Sequence, residues 1–218
     1  ANSWREWQSL IVRMWAKHYL VLLKLAATSI SVAADQVRGW VGDGARLLVM
    51  RALAEDGITR SEADEVDAAY QMFGNFYARS LCVDSVLYPG VTEVLSHLRD
   101  IGLAMACVTN KPRAFTTPLL EQSGLIHFFG AVVCGDALPV RNPAPEPLLD
   151  AACRLEVDAT HCALVGDSAN DILAARAAGM PMFWAEYGYG DLHHSEQLEP
   201  DAVIDSISQL TGLIVIGS

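Results

Sequence analysis

From Tyr88 onward the apolar residues fall in short runs that alternate with longer stretches of helical period. Val91 to Asp100 spaces its apolar positions as a helix does, and Leu103 to Val108 is a compact run typical of a buried strand. The alternation continues with a helix over Phe115 to Gln122, stopped by Gly124, and a strand over Ala131 to Cys134. A helix over Pro147 to Leu155 precedes a strand over Cys162 to Val165. Ile172 to Ala178 is a helix stopped by Gly179, Met182 to Ala185 is a strand, and Val203-Ile204 is a last short one. Elements alternating at this length predict an α/β fold: a doubly wound, Rossmann-like parallel sheet covered on both faces. Loops at the carboxyl ends of such strands converge on one rim. Thr109, Asn142, Asp167 and Asp171 should meet there.

The region from 19 to about 85 reads as helical instead. Leu47, Leu48, Met50, Arg51 and Leu53 follow the Gly42-Asp43-Gly44 turn as one helical face. A second helix starts near Ser61 with acidic residues in its early turns, which favours an amino end. It carries Val66, Ala69, Tyr70, Phe73, Phe76 and Tyr77 at helical spacing, a stripe that reads as helix-bundle core. Before it, Tyr19 to Ala34 is apolar and faintly resembles a signal peptide. Lys24 interrupts the run, which is too short for a membrane span, so a buried helix is the preferred reading.

Composition narrows the class. The chain has 218 residues and 52% hydrophobic content, enough for one large domain or a core with a smaller addition. Its net charge of −11 argues against nucleic-acid partners and against adhesion to anionic membrane. Five cysteines without Cys-x-x-Cys spacing read as small buried hydrophobes in a reducing, cytoplasmic setting. Oligomeric state is left open.

Two strand ends carry chemistry. Cys162 to Val165 ends in Gly166-Asp167-Ser168, and Asp171 follows on the next helix. Two carboxylates four residues apart beside a small glycine suit a hard divalent cation that keeps several waters. The structural alternative makes Asp167 a helix N-cap and Asp171 a favourable charge in the first turn. Ala104 to Val108 ends in Thr109-Asn110-Lys111-Pro112, and a hydroxyl with backbone N–H groups there can hold a phosphoryl group. The alternative is a polar turn before a helix begun by proline.

These segments resemble the second and fourth motifs of the haloacid dehalogenase superfamily. With Trp40 to Arg46, Leu87 to Gly90, Cys134 to Pro139 and Tyr187 to Tyr189 the resemblance narrows to its phosphoglycolate phosphatase-like branch, over about residues 35 to 210. It implies a magnesium-dependent phosphate monoester hydrolase acting on a small phosphorylated metabolite such as 2-phosphoglycolate. It also implies an α/β core of residues 1–18 and 86–218 with an inserted helical cap of residues 19–85. Asp167 and Asp171 would be metal ligands, directly or through water, and Thr109 and Asn110 would grip phosphoryl oxygens. Gly42, Gly44, Arg46, Lys111 and Arg141 would bind substrate. For Arg46 a plain surface arginine is an equal alternative.

The same resemblance exposes two losses. The family's first strand ends in Asp-x-Asp-Gly-Thr, whose first Asp attacks phosphorus. Taking Leu10-Ile11-Val12 as that strand puts Met14 and Ala16 at the two carboxylate positions, and no Asp-x-Asp occurs in the chain. Neither side chain can attack phosphorus or move a proton. Asn142, in Arg141-Asn142-Pro143, stands where the family has a lysine that neutralises nucleophile and phosphate. Little or no turnover is the expectation. The rivals are an active phosphatase that recruits Asp136 or Asp43, and a non-catalytic phospho-ligand binder or scaffold.

Overall fold

A computed structural model of the chain describes residues 9–12, 40, 44–55, 63–79, 87–188, 190 and 198–214. Six strands form one sheet in the order β3-β2-β1-β4-β5-β6, and every neighbouring pair is parallel. The strands are β1 (Ser9–Val12), β2 (Ala104–Val108), β3 (Ala131–Val133), β4 (Cys162–Gly166), β5 (Met182–Ala185) and β6 (Ala202–Ile204). The strand at Leu10 to Val12, whose place in the sheet the sequence leaves open, is present and central. Ser9 pairs with Ala104 on one side and Cys162 on the other, and Val12 with Cys107 and Val165.

Period-two alternation divides the sheet into two cores. Met105, Cys107, Ala163, Val165 and Phe183 face one side, where they meet Val94, Leu95 and Leu98 of α3 (Val91–Asp100). Leu120 of α4 (Arg113–Gln122) and Leu210 of α7 (Leu210–Leu213) complete that side. Ala106, Val108, Leu164, Met182 and Trp184 face the other, against Leu148 and Ala151 of α5 (Glu146–Arg154) and Ile172 and Ala175 of α6 (Ala169–Ala178). Burial on both faces explains why β4 and β5 are apolar throughout.

Two further helices, α1 (Ala45–Glu55) and α2 (Ala63–Arg79), pack on each other around a third cluster. That cluster takes Ala45, Leu48, Val49 and Ala52 from α1, Phe73 and Tyr77 from α2, and Phe115 from α4. The face of α1 is therefore not the one expected. Leu47 and Met50 are 38% and 44% exposed, because helical spacing selects positions 45, 48, 49 and 52 for one side. The aromatic stripe of α2 does bury Val66, Phe73 and Tyr77 as read from the sequence. Among the described residues no helix is long and apolar enough to cross a membrane.

Candidate active site

The loop after β4 is closed largely by its own residues. Ser168, not Asp167, is the N-cap of α6, and it forms a capping box with Asp171. Asp171 Oδ2 accepts the Ser168 hydroxyl at 2.6 Å and the Ser168 and Asp167 N–H groups at 3.1 and 3.3 Å. Asp171 Oδ1 accepts the Asn142 Nδ2 amide at 3.1 Å. Both carboxylates are fully buried. The cap is therefore made by Ser168 with Asp171, and not by Asp167. Gly166 allows the turn, since a Cβ there would lie 2.8 Å from the Asp171 side chain.

Asp167 is covered by the loop after β5. A Cβ on Gly188 would fall 2.1 Å from Asp167 Oδ2, and one on Gly190 would fall 1.7 Å from the Asp167 carbonyl oxygen. Only glycine permits backbone at that distance. Beside them, burial pushes the Tyr187 hydroxyl up to about 12, and the neighbouring Tyr88 and Asp167 act in the same direction.

The loop after β2 is propped by the strand next door. Thr109 N–H donates to Val133 at 3.0 Å, and Gly135 N–H to the Lys111 carbonyl at 2.9 Å. Thr109 Oγ1 accepts the Lys111 N–H at 3.2 Å. Gly135 lies so close that a Cβ there would be 2.0 Å from the Asn110 carbonyl oxygen. Asp136 accepts the Arg113 N–H at 2.9 Å and so serves the start of α4. Arg141 Nε donates to the Gly135 carbonyl at 2.6 Å. At Gly44, in the left-handed region with φ 97°, a Cβ would be 3.1 Å from Arg141 Nη1. The amino end of α1 therefore rests on this rim. Lys111 donates its ammonium to the Tyr77 hydroxyl of α2.

The structure thus gathers Thr109, Asn110, Lys111, Arg141, Asn142, Asp167 and Asp171 on the loops at one end of the sheet. Arg46 instead pairs with Asp67 on the exposed side of α1 and α2. Met14, Ala16, Gly42 and Asp43 lie outside the described residues. Val12, the last described residue of β1, pairs two positions before Thr109 and Asp167. Sequence reasoning placed Gly135 and Gly188 inside resembling segments without their close approaches; Gly135 follows β3 by two residues and Gly188 follows β5 by three. It took Tyr77 for core alone, and nothing local marks its hydroxyl.

A family model, described as hydrolase: haloacid dehalogenase-like hydrolase, matches residues 5–179. The chain belongs to the haloacid dehalogenase-like hydrolases. Within them it lies on the phosphoglycolate phosphatase-like branch. It is 41% identical over 180 residues to a phosphoglycolate phosphatase of Nitrosospira multiformis, covering 83% of this chain and 79% of that one. A phosphoglycolate phosphatase of Nitrosococcus oceani is 39% identical over 179 residues, covering 82% and 80%. The crystal structure of a predicted phosphoglycolate phosphatase from Haemophilus somnus superposes with a TM-score of 0.87 at 26% identity, covering 98% of this chain and 99% of that one. The α/β sheet expected from the alternation is thus the haloacid dehalogenase-like core.

Proposed function

We propose that this chain keeps the phosphate- and magnesium-binding rim of a phosphoglycolate phosphatase-like hydrolase but turns over phosphate monoesters little or not at all. Asn142 carries the reading. It is buried at the position of the family's lysine and donates its amide to Asp171, so it supplies hydrogen bonds but no charge. Its Oδ1 is buried with no hydrogen-bond partner among the described residues. A phosphoryl group held here loses the cation that would offset its charge. The sequence also offers no Asp-x-Asp nucleophile pair.

The donor set fits magnesium, which needs only one or two carboxylates and otherwise keeps water. Among the described residues no three His, Cys, Asp or Glu side chains gather as a metal site. Asp167 is the direct ligand in this reading, because both oxygens of Asp171 already accept Ser168 and Asn142. Asp171 orients the loop, and the buried, partnerless Asn142 Oδ1 is a further hard oxygen beside it. Bound there, magnesium would supply charge against phosphoryl oxygens. Thr109 and Asn110 offer the hydroxyl, amide and backbone N–H groups for those oxygens, with Lys111 and Arg141 at the edge. In this reading residues 19–85 are the cap and 1–18 with 86–218 the core, a division supported by the cluster that α1 and α2 build with Phe115 of α4. Gly44 brings that cap to the rim, whereas Arg46 would have to leave Asp67 to meet a substrate carboxylate. The ligand class is a small phosphorylated metabolite such as 2-phosphoglycolate, and the free cysteines are consistent with a cytoplasmic setting.

The test is hydrolysis of p-nitrophenyl phosphate and phosphoglycolate with magnesium, beside a Met14→Asp/Ala16→Asp/Asn142→Lys variant. A silent parent with an active variant is the expected result. An active parent overturns the reading and points to another nucleophile. Calorimetry with inorganic phosphate and magnesium separates a ligand-binding protein, which gives saturable heat, from a bare scaffold, which gives none.

A further inference from the structure

Lys111 belongs to the loop after β2, yet its ammonium is held by another layer. It donates to the Tyr77 hydroxyl, and Nζ lies 4.9 Å from the centroid of the Tyr77 ring. Tyr77 is fully buried on α2. Phe73 stacks on it at 5.6 Å, and Phe115 meets it edge-on at 5.0 Å. Phe115 stands on α4, three residues after the Lys111-Pro112 turn, and Gly74 leaves room for it, since a Cβ there would lie 3.3 Å from Phe115 Cζ. Phenylalanine fills the neighbouring places in this cluster. Packing alone therefore accounts for the Tyr77 ring but not for its hydroxyl, and a buried phenol needs a polar partner. A lysine has a long, freely rotating stem, so fixing its ammonium at one point takes a specific contact. Here the Tyr77 hydroxyl supplies that contact.

We propose that Tyr77 is a positioning residue for anion binding. It holds the Lys111 ammonium at the boundary between α2 and the sheet rim, so that a phosphate at Thr109 and Asn110 and the docking of α2 reinforce each other. The proposal rests on the reading that this rim binds a phosphorylated ligand. Coupling of this kind is reciprocal: if docked α2 strengthens phosphate binding, phosphate strengthens the docking of α2.

The test is a double-mutant cycle on the full chain, read by calorimetry with inorganic phosphate and magnesium. The variants are Tyr77→Phe, Lys111→Met and the pair. Tyr77→Phe keeps the ring and its volume, and circular dichroism confirms that the fold is retained. It should weaken phosphate about fivefold, the lower end of ordinary coupling between sites. Lys111→Met should weaken it at least as much, Lys111→Arg should restore part of the loss, and the double variant should match Lys111→Met alone. Saturating phosphate should slow hydrogen exchange over residues 63–79 in the parent and not in Tyr77→Phe. Unchanged phosphate affinity in Tyr77→Phe, or the same loss in both lysine backgrounds, overturns the proposal and leaves Tyr77 as core. A parent that binds no phosphate overturns the functional reading and this proposal together, a result distinct from a binding parent with an additive cycle.

Discussion

The loops after β2 and β4 flank β1 on one rim, yet they are held in opposite ways. The β4 loop is a local device. Ser168 and Asp171 close on each other within four residues, and most of the groups that Asp171 accepts belong to its own turn. The β2 loop is held from elsewhere: Val133 and Gly135 prop its backbone, Thr116 donates back to the Lys111 carbonyl, and Tyr77 of α2 takes its ammonium. A local device survives changes in distant sequence. A loop held by its neighbours has its geometry rewritten by them.

The largest expected effect comes from removing a prop. Gly135→Val places carbon where the Asn110 carbonyl now sits, so the loop or β3 must move. A loss of about 3 kcal/mol or more is expected, with phosphate binding abolished. Urea unfolding and calorimetry measure both, and a variant as stable as the parent would end the claim that β3 shapes this loop.

Next comes a contrast within the β4 loop. Asp171→Ala leaves the Ser168 hydroxyl, two N–H groups and the Asn142 amide without their acceptor. It should cost about 2 to 4 kcal/mol. Asp167→Asn should cost less stability and lose magnesium-dependent phosphate binding altogether. If the two variants reverse, with Asp171 governing the metal and Asp167 the stability, the assignment of tasks is wrong.

A smaller, pH-dependent effect tests the cover over Asp167. The Tyr187 hydroxyl titrates at about 12 in the folded chain. An ordinary unfolded tyrosine titrates near 10. Between those values the unfolded chain has lost this proton and the folded chain keeps it, so stability falls as pH rises. The slope is at most about 1.4 kcal/mol per pH unit. Tyr187→Phe should flatten the alkaline limb of a denaturation profile, and an unaltered limb would place the hydroxyl in water.

The smallest effect belongs to Arg46. Its pair with Asp67 is half exposed on both sides, so Arg46→Ala should change stability by less than about 1 kcal/mol. Phosphate affinity should stay as in the parent, because the guanidinium is directed at Asp67. A large loss of phosphoglycolate affinity would instead restore Arg46 to the ligand.

The same contrast governs what the sequence revealed. The sheet and its helix order follow from apolar runs and their spacing, which are local properties, whereas the place of Leu10 to Val12 in the sheet is left open by the sequence. The β4 loop was legible for the same reason, though the cap falls on Ser168 rather than Asp167. A carboxylate before a helix fits either position until the hydrogen bonds are drawn. On α1, Leu47 and Met50 look as apolar as Leu48, and only the partner helix decides which of them is buried. Gly135 under Asn110, Gly188 over Asp167 and the Tyr77 hydroxyl on Lys111 are long-range contacts, which no window of neighbouring residues contains.

The position of β1 bears on how the chain assembles. Ser9 pairs with Ala104 and with Cys162, both far along the chain. Among the described strands, the hydrogen-bonded ladder passes from β2–β3 to β4–β6 only through this strand. Contacts of such long sequence separation slow folding, because loop closure must precede any gain from pairing. Sheet closure should therefore be the late, slow step, and the two half-sheets should collapse with their own helices before β1 zips them together.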